Sequence, residues 1–282
     1  MRLSTPLPAR SLLSAALFAA ATLFALSPAH SALLFTENFN YPISSNLAGQ
    51  NGGSGFSGAW SGGNSTIVAG LGGTGNAVQI GSSIASRSLS STFSTSGNTF
   101  YISYLMNVSN FSGGNYTGIS LWNGGSEEMF FGIPYGTGNF GFDAHAGNGA
   151  ADIKTVNFSP ATNTTYLVTL GLLPSATSGK VDVKMWATSD LGVDPNTLVS
   201  GAANASLLGT KNNFSFNTVK LNGDYAGNLK VSGIATAPTA SEAINFSTQS
   251  APPVPEPGTW AAAALLAGGA AFARWRKRAK TA

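Results

Sequence analysis

Short apolar runs separated by glycine-rich turns restrict the fold of this chain more than any other sequence feature. Aromatic and β-branched residues dominate the runs at 101–108, 166–172, 181–186 and 229–234. Turn-forming pairs such as Asn222-Gly223 recur between the runs, and residues 33–250 show no 3.6-residue period of helical length. These patterns predict an all-β fold, an antiparallel two-sheet sandwich of the jelly-roll type over residues 33–235.

The first predicted strand carries an alternating pattern. Phe35, Glu37 and Phe39 are two residues apart, so their side chains share one face of a strand. Glycine-rich stretches at 50–63 and 70–75 are predicted to be long loops. Residues 236–253 are polar and are predicted to be a flexible linker.

The amino terminus has the three parts of a secretory signal peptide. Arg2 and Arg10 provide positive charge, residues 11–26 are apolar, and small residues follow at 28–32. We expect signal peptidase to cleave after Ser31 or Ala32, which makes residues 1–32 the signal peptide. An uncleaved amino-terminal anchor is the alternative.

The carboxyl terminus, residues 254–282, has the pattern of a membrane-sorting signal. Its parts are the motif Val254, Pro255, Glu256 and Pro257, an apolar run at 259–273, and a basic end at 274–282 with a stop formed by Arg274, Arg276, Lys277 and Arg278. A helix over the apolar run spans only roughly 22 Å, whereas a bilayer core is about 30 Å thick. We therefore expect a short transmembrane helix with a cytoplasmic basic end. A permanent anchor and a buried alanine-rich helix are the alternatives.

Charge is distributed unevenly along the chain. Seven of the fourteen basic residues lie in the predicted targeting segments, which leaves seven basic and ten acidic residues in 33–253. An acidic exported region does not suit a polyanion, so we predict no nucleic-acid partner. The chain has no cysteine, which excludes a disulfide framework and thiolate chemistry.

The carboxyl-terminal tail resembles the PEP-CTERM sorting signal in the order of its motif, apolar run and basic stop. This resemblance implies an exosortase as processing partner and an intermediate in the inner membrane. It also implies delivery to the cell surface or extracellular matrix of a Gram-negative bacterium that makes exopolysaccharide. Cleavage of the tail and its retention as an anchor both remain open.

The exported region resembles the concanavalin A-like or laminin-G-like domains that often precede such tails. The segments that carry this resemblance are 35–42, 55–60, 116–122 and 127–132. The resemblance implies two curved antiparallel sheets, with rim loops that in some relatives hold calcium or sugar. Relatives carry an acidic strand near the carboxyl end, but the corresponding residues 228–232 contain no acidic residue, so no acidic site is transferred.

Groups for acid–base chemistry are sparse, so we predict that the domain is not an enzyme, and we assign no catalytic residue. Glycanases of this fold place carboxylates at alternating strand positions. Glu127 and Glu128 are adjacent and would point to opposite faces, so at most one of them shares a groove with Asp143 or Asp152. Asp143 and His145 fall on one face, where the carboxylate could orient the imidazole, but an exposed polar strand face or turn is the favoured interpretation. A secreted glycanase or lyase is the alternative function.

Aromatic side chains are the predicted means of holding a ligand. Trp60 and Trp122 are expected near the rim, where they could stack on sugar rings, and Trp186 and Phe130 are expected in the core. We predict no cofactor; calcium at the oxygen-rich loop 190–196, which does not match an EF-hand, is the alternative. The predicted function is a non-enzymatic surface or matrix protein associated with exopolysaccharide.

Overall fold

The computed structural model describes residues 33–72, 75–111, 116–147, 149–223 and 229–248. Within these residues there are fifteen strands and two short α-helices. The strands are β1 (Phe35–Glu37), β2 (Ser61–Gly62), β3 (Thr66–Ala69), β4 (Asn76–Gln79), β5 (Ala85–Ser94), β6 (Phe100–Val108), β7 (Thr117–Asn123), β8 (Ser126–Ile133), β9 (Gly141–Asp143), β10 (Ile153–Thr155), β11 (Thr165–Pro174), β12 (Lys180–Thr188), β13 (Ala205–Asn212), β14 (Ser215–Gly223) and β15 (Leu229–Ala237). The helices are α1 (Pro195–Ser200) and α2 (Ala240–Thr248), and a 3-10 turn lies at Gly149–Asp152.

The strands form two antiparallel sheets with a shared core. The eight-stranded sheet has the order β13-β12-β11-β6-β15-β4-β3, with β1 also paired to β15. The seven-stranded sheet has the order β10-β9-β8-β7-β14-β5-β2. The four apolar runs lie in β6, β11, β12 and β15, so the all-β, two-sheet prediction is confirmed.

Alternating side chains fill the space between the sheets. Tyr104 of β6 meets Phe131 of β8 across the core, with ring centroids 5.7 Å apart. Burial of each large apolar side chain stabilises the fold by about 1.5–3 kcal/mol. Trp186 and Phe130 are buried, as predicted. Both alternate with core residues, however, and therefore lie on outer sheet faces, where a tyrosine ring packs against each.

Part of the predicted linker has regular secondary structure. β15 extends through its first two residues, and α2 packs on the outer face of the eight-stranded sheet, where Ile244 joins Leu105 and Leu167. The linker prediction is therefore wrong for residues 236–248. Nine residues make a weak helix signal in sequence, and packing on the sheet supplies the stabilisation that the isolated segment lacks.

The predicted targeting segments lie outside the described residues. These segments are 1–32 and 254–282, and the last linker residues, 249–253, lie outside as well. None of the helices in the described part of the chain has the length and hydrophobicity of a membrane span. The signal peptide, the sorting motif and the transmembrane helix therefore stay predictions.

A buried ion pair connects the two sheets near the amino-terminal end of the fold. Arg87 Nη1 of β5 lies 2.7 Å from Glu37 Oε2 of β1, and the two side chains are 2% and 0% exposed. Glu37 also accepts hydrogen bonds from Tyr41 Oη, Trp60 Nε1 and the backbone N–H of Phe39. These hydrogen bonds offset the large cost of removing the two charges from water.

Candidate functional site

Polar residues at one end of the seven-stranded sheet surround a cavity of about 410 Å³. We call it the Asp143 cavity. Its lining residues are Tyr116, Asp143, His145, Gly147, Gly149, Ala150, Asp152 and Ile153. Asp143 ends β9 and faces away from the core, because its neighbour Phe142 points into the core. The cavity therefore lies on the outer face of the sheet.

Asp143 is the centre of the hydrogen bonds at this cavity. Its Oδ2 accepts from Tyr116 Oη at 2.8 Å, and its Oδ1 accepts from the backbone N–H of His145 at 3.0 Å. Nδ1 of His145 lies 3.6 Å from the same Oδ1. The structure thus brings Asp143 and His145 together, as the alternation suggested. The direct cause is a tight turn, because His145 has a left-handed φ of 45° and the Asp143 carboxylate caps its N–H.

A β-bulge brings the adjacent glutamates of β8 close to the residues around this cavity. We call the polar side chains there the Asp143 cluster, which consists of Tyr116, Glu127, Glu128, Asp143, His145, Asp152 and Lys211. Trp122 pairs with Glu127 and Leu121 pairs with Met129, so Glu128 has no partner on β7. Glu127 Oε2 lies 3.3 Å from His145 Nε2. Glu128 Oε2 lies 3.6 Å from the ammonium of Lys211, which donates to the carbonyl of His145 at 3.3 Å. The bulge interrupts regular alternation, and neither glutamate lines the Asp143 cavity itself. The prediction that at most one of them shares a groove with Asp143 is therefore not contradicted.

The electrostatics of the cluster raise the pKa of His145 and Tyr116 and lower that of Lys211. The carboxylate of Glu127, and then that of Asp143, raises the pKa of His145, although burial works against this. Nε2 of His145 makes no well-aligned hydrogen bond, so its interaction with Glu127 is that of an ion pair. Burial, followed by the hydrogen bond to Asp143, raises the pKa of Tyr116. Burial lowers the pKa of Lys211, and the Glu128 carboxylate opposes this shift.

Trp60 does not occupy the position predicted for it. Its side chain is 2% exposed and belongs to the core, where Nε1 donates to Glu37 Oε2 at 2.9 Å. The guanidinium of Arg87 lies 5.9 Å from its ring centroid. The prediction that Trp60 stacks on a ligand is therefore wrong. The buried carboxylate of Glu37 needs donors, and the indole N–H supplies one of them.

Trp122 is half-buried on the outer face of the seven-stranded sheet. Its Nε1 donates to Ser120 Oγ at 2.8 Å, and the ammonium of Lys220 lies 3.2 Å from the ring centroid. A cation at this distance is attracted to the face of the ring. A sugar that stacks on that face must therefore displace Lys220 or share the ring with it.

The loop considered for calcium uses its carboxylates within itself. Asp194 caps α1, and its Oδ1 accepts from the N–H and the hydroxyl of Thr197 at 2.8 and 2.9 Å. These bonds lower the pKa of Asp194. Asp190 Oδ1 accepts from the N–H of Gly192. Within the described ranges of the chain, no group of three or more histidine, cysteine, aspartate or glutamate side chains could hold a metal ion.

Sequence reasoning missed two members of the cluster. Tyr116 precedes β7, and Lys211 lies on β13, the edge strand of the other sheet. No spacing rule joins these positions to Asp143, because the strand order of the sandwich alone brings them together. Lys211 is 5% exposed, so its charge requires a partner, but the mixed polar and apolar sequence of β13 does not reveal this burial.

Comparison with known proteins shows similarity of architecture at a distance. No family model matches the chain, and no curated protein sequence matches it. Domain 4 of AbnA, an extracellular GH43 arabinanase from Geobacillus stearothermophilus in complex with arabinotriose, superposes with a TM-score of 0.47 at 12% identity. That match covers 77% of this chain and 98% of the domain.

Two other solved structures show comparable similarity. The alginate lyase Aly36B in complex with alginate tetrasaccharide gives a TM-score of 0.43 at 10% identity, over 72% of this chain and 95% of the lyase. The binding domain of botulinum neurotoxin DC in complex with SialylT gives 0.46 at 14% identity, over 78% of this chain. The match spans about half of that toxin chain, 52%. The strand pairing described above, and not these distant matches, defines the fold of this protein.

Proposed function

We propose that this chain is an exported, non-enzymatic surface or matrix protein that binds a neutral glycan in the Asp143 cavity. The observation that carries this proposal is the cavity itself, in which a carboxylate, an imidazole and a tyrosine ring converge. Sugar hydroxyl groups are recognised by such polar groups, and an aromatic ring matches the apolar face of a sugar.

The charge of the cluster favours a neutral ligand over an anionic one. Four carboxylates contribute to it, whereas its cations are the Lys211 ammonium and, when protonated, the His145 imidazole. The carboxylates belong to Glu127, Glu128, Asp143 and Asp152. Both cations lie close to glutamate side chains. A polyuronate would therefore meet net negative charge, which repels it.

The protonation of the cluster supports binding rather than catalysis. A lyase needs a base to remove a proton, and the candidate bases here are Tyr116 and His145. The raised pKa values of both groups favour their protonated forms, which cannot accept a proton. Both oxygens of Asp143 already accept hydrogen bonds. A secreted glycanase or lyase remains the competing function, and product formation would reveal it.

The finer class of the fold and the route of export belong to the same proposal. The two antiparallel sheets with a common core support a concanavalin A-like jelly roll. Export by signal peptidase, passage through the inner membrane and exosortase processing are supported by the sequence of the two ends. A protein delivered to the cell surface by this route would meet the exopolysaccharide of its own cell, which we therefore propose as the glycan it binds.

Asp143→Asn should weaken glycan binding about tenfold or more, because a charged acceptor of hydrogen bonds is lost. The measurement is calorimetric titration of the full chain with neutral cello-, laminari- and malto-oligosaccharides, with alginate as the anionic comparison. A detergent without a sugar headgroup keeps the apolar tail soluble without competing for the site. Asp190→Asn, in the loop before α1, is the matched control and should bind like the unchanged protein.

Two results would contradict the proposal. Tighter binding of alginate than of every neutral oligosaccharide would show that the site selects anions. Release of shortened or unsaturated oligosaccharides, lost on Asp143→Asn or His145→Gln, would show that the protein is an enzyme. Thermal unfolding of each variant separates a lost site from a lost fold.

The sorting prediction is tested by replacing Pro255, Glu256 and Pro257 together with alanine. We expect the precursor to stay in the inner membrane, because the processing enzyme no longer recognises the tail. Cell fractionation and the intact mass of the protein measure this outcome. Alanine at Pro252 and Pro253, just before the motif, is the control and should leave sorting unchanged. Arrival of the motif variant at the surface with an uncut mass would favour a simple anchor.

A further inference from the structure

A second cavity, of about 350 Å³, lies between β5 and β14 of the seven-stranded sheet. We call it the serine groove. Its polar lining comes from Ser88, Ser90, Ser91, Thr92, Asn217 and Thr218, and none of its lining residues is charged. Hydroxyl and amide groups both donate and accept hydrogen bonds, as sugar hydroxyls do. The lining therefore suits an uncharged, hydroxyl-rich ligand.

An irregularity in strand pairing produces this groove. Phe216 pairs with Phe93, but Thr218, two residues further along β14, pairs with Ser88. The intervening residues of β5 have too few partners on β14, so they leave the regular ladder. Bulges of this kind bend a strand and redirect its side chains. The serine groove is thus a consequence of the backbone path and is present without a ligand.

One row of paired residues leads from the Asp143 cavity to the serine groove. Glu127 pairs with Trp122, Trp122 pairs with Thr218, and Thr218 pairs with Ser88. Trp122, Thr218 and Ser88 each precede or follow a core residue in their strands and therefore lie on the outer face. Glu127 shares this face because it is paired directly opposite Trp122. Glu127 contacts His145 at one end of the row, and Ser88 lines the groove at the other.

The length of this row exceeds a single sugar ring. Three strand spacings of about 4.8 Å separate β8 from β5, which gives roughly 14 Å between Glu127 and Ser88. Trp122 stands between the two cavities, half-buried, with the Lys220 ammonium over its ring. The row therefore offers polar groups at its ends and an aromatic ring with an ammonium donor in the middle.

We infer that the Asp143 cavity and the serine groove are two subsites of one binding path, and that its ligand is a linear neutral glycan of several sugar units. This inference rests on the proposed glycan binding and adds the length and direction of the ligand. The chain crosses the strands of the seven-stranded sheet and passes over Trp122. Short oligosaccharides occupy the Asp143 cavity, and longer ones reach the serine groove as well.

Titration with oligosaccharides of increasing length tests the inference. We use the cello-, laminari- and malto- series from the disaccharide to the hexasaccharide with the full chain. In the series that binds, affinity should rise about tenfold or more between these lengths, as additional hydrogen bonds form. Ser88→Trp, which fills the groove at an exposed strand position, should abolish this gain and leave disaccharide affinity unchanged.

Ser178→Trp is the matched control, because Ser178 is exposed in the turn between β11 and β12 of the other sheet. It should bind every length like the unchanged protein. Equal affinity for all lengths, or full hexasaccharide affinity in a folded Ser88→Trp variant, overturns the two-subsite inference alone. Failure of every neutral oligosaccharide to bind overturns the proposed function as well.

Discussion

Arg87→Ala will lower the free energy of unfolding by about 3–5 kcal/mol, because it leaves the carboxylate of Glu37 buried without its cation. Glu37 is 0% exposed, so water cannot replace the lost guanidinium without opening the fold. The same substitution removes the hydrogen bonds from Arg87 to the carbonyl of Gly58 and to Asn51. It also removes the guanidinium that lies 4.1 Å from the centroid of the Phe56 ring. Chemical denaturation measures the effect.

Lys184→Ala is the control for this prediction. Lys184 is a half-buried cation in the middle of β12, and no ion pair involves it among the described residues. Its replacement should change stability by no more than about 0.5 kcal/mol. A loss below about 1 kcal/mol for Arg87→Ala would show that the ion pair contributes little. The double variant Glu37→Gln with Arg87→Met should recover part of the lost stability, since it removes both charges.

Gly132→Ala will destabilise the protein by about 3 kcal/mol, for two independent reasons. Gly132 of β8 has a φ of 146°, a conformation that L-residues rarely adopt. A methyl group there would also lie 2.5 Å from the carbonyl oxygen of Thr117 and 2.6 Å from Cα of Gly118. These neighbours are backbone atoms of β7, so relief of the clash requires the strands to separate.

Gly125→Ala, in the turn of the same β7–β8 hairpin, is the control. A methyl group at Gly125 meets no atom within 4 Å, so its effect should stay within about 0.5 kcal/mol. Thermal and chemical unfolding of both variants give the comparison. Equal stability of the two variants would show that β7 and β8 can shift apart at little cost. Gly132 also pairs with Gly141, two residues before Asp143, so a shift here would reach the Asp143 cavity.

Binding and stability place different demands on the charged residues of this domain. The Glu37–Arg87 pair is closed off from solvent and has a structural role. The Asp143 cluster is open to solvent at one side, where the His145 side chain is 31% exposed. Substitutions of Glu37 or Arg87 should therefore change stability more than binding. Substitutions in the Asp143 cluster should change binding more than stability.

Local sequence determined which segments become strands and which surround them. Alternating and β-branched runs locate β6, β11, β12 and β15, because strand geometry gives successive side chains opposite environments. The same rule places Phe35 and Glu37 on one face of β1, and both side chains are buried. Phe39 is buried as well, but it lies beyond β1 with a left-handed φ of 52°, which alternation does not predict. The targeting segments are sequence predictions of the same local kind.

Only the tertiary structure decided where the polar groups meet. Trp60, just before β2, is buried in the core with its N–H donating to Glu37 of β1, and Glu128 joins the cluster of Glu127 because a bulge breaks the alternation. Tyr116, Asp143 and Lys211 come from segments that lie far apart in the chain, and strand order brings them together. Periodicity describes one strand at a time, whereas register, bulges and docked helices depend on the contacts between strands.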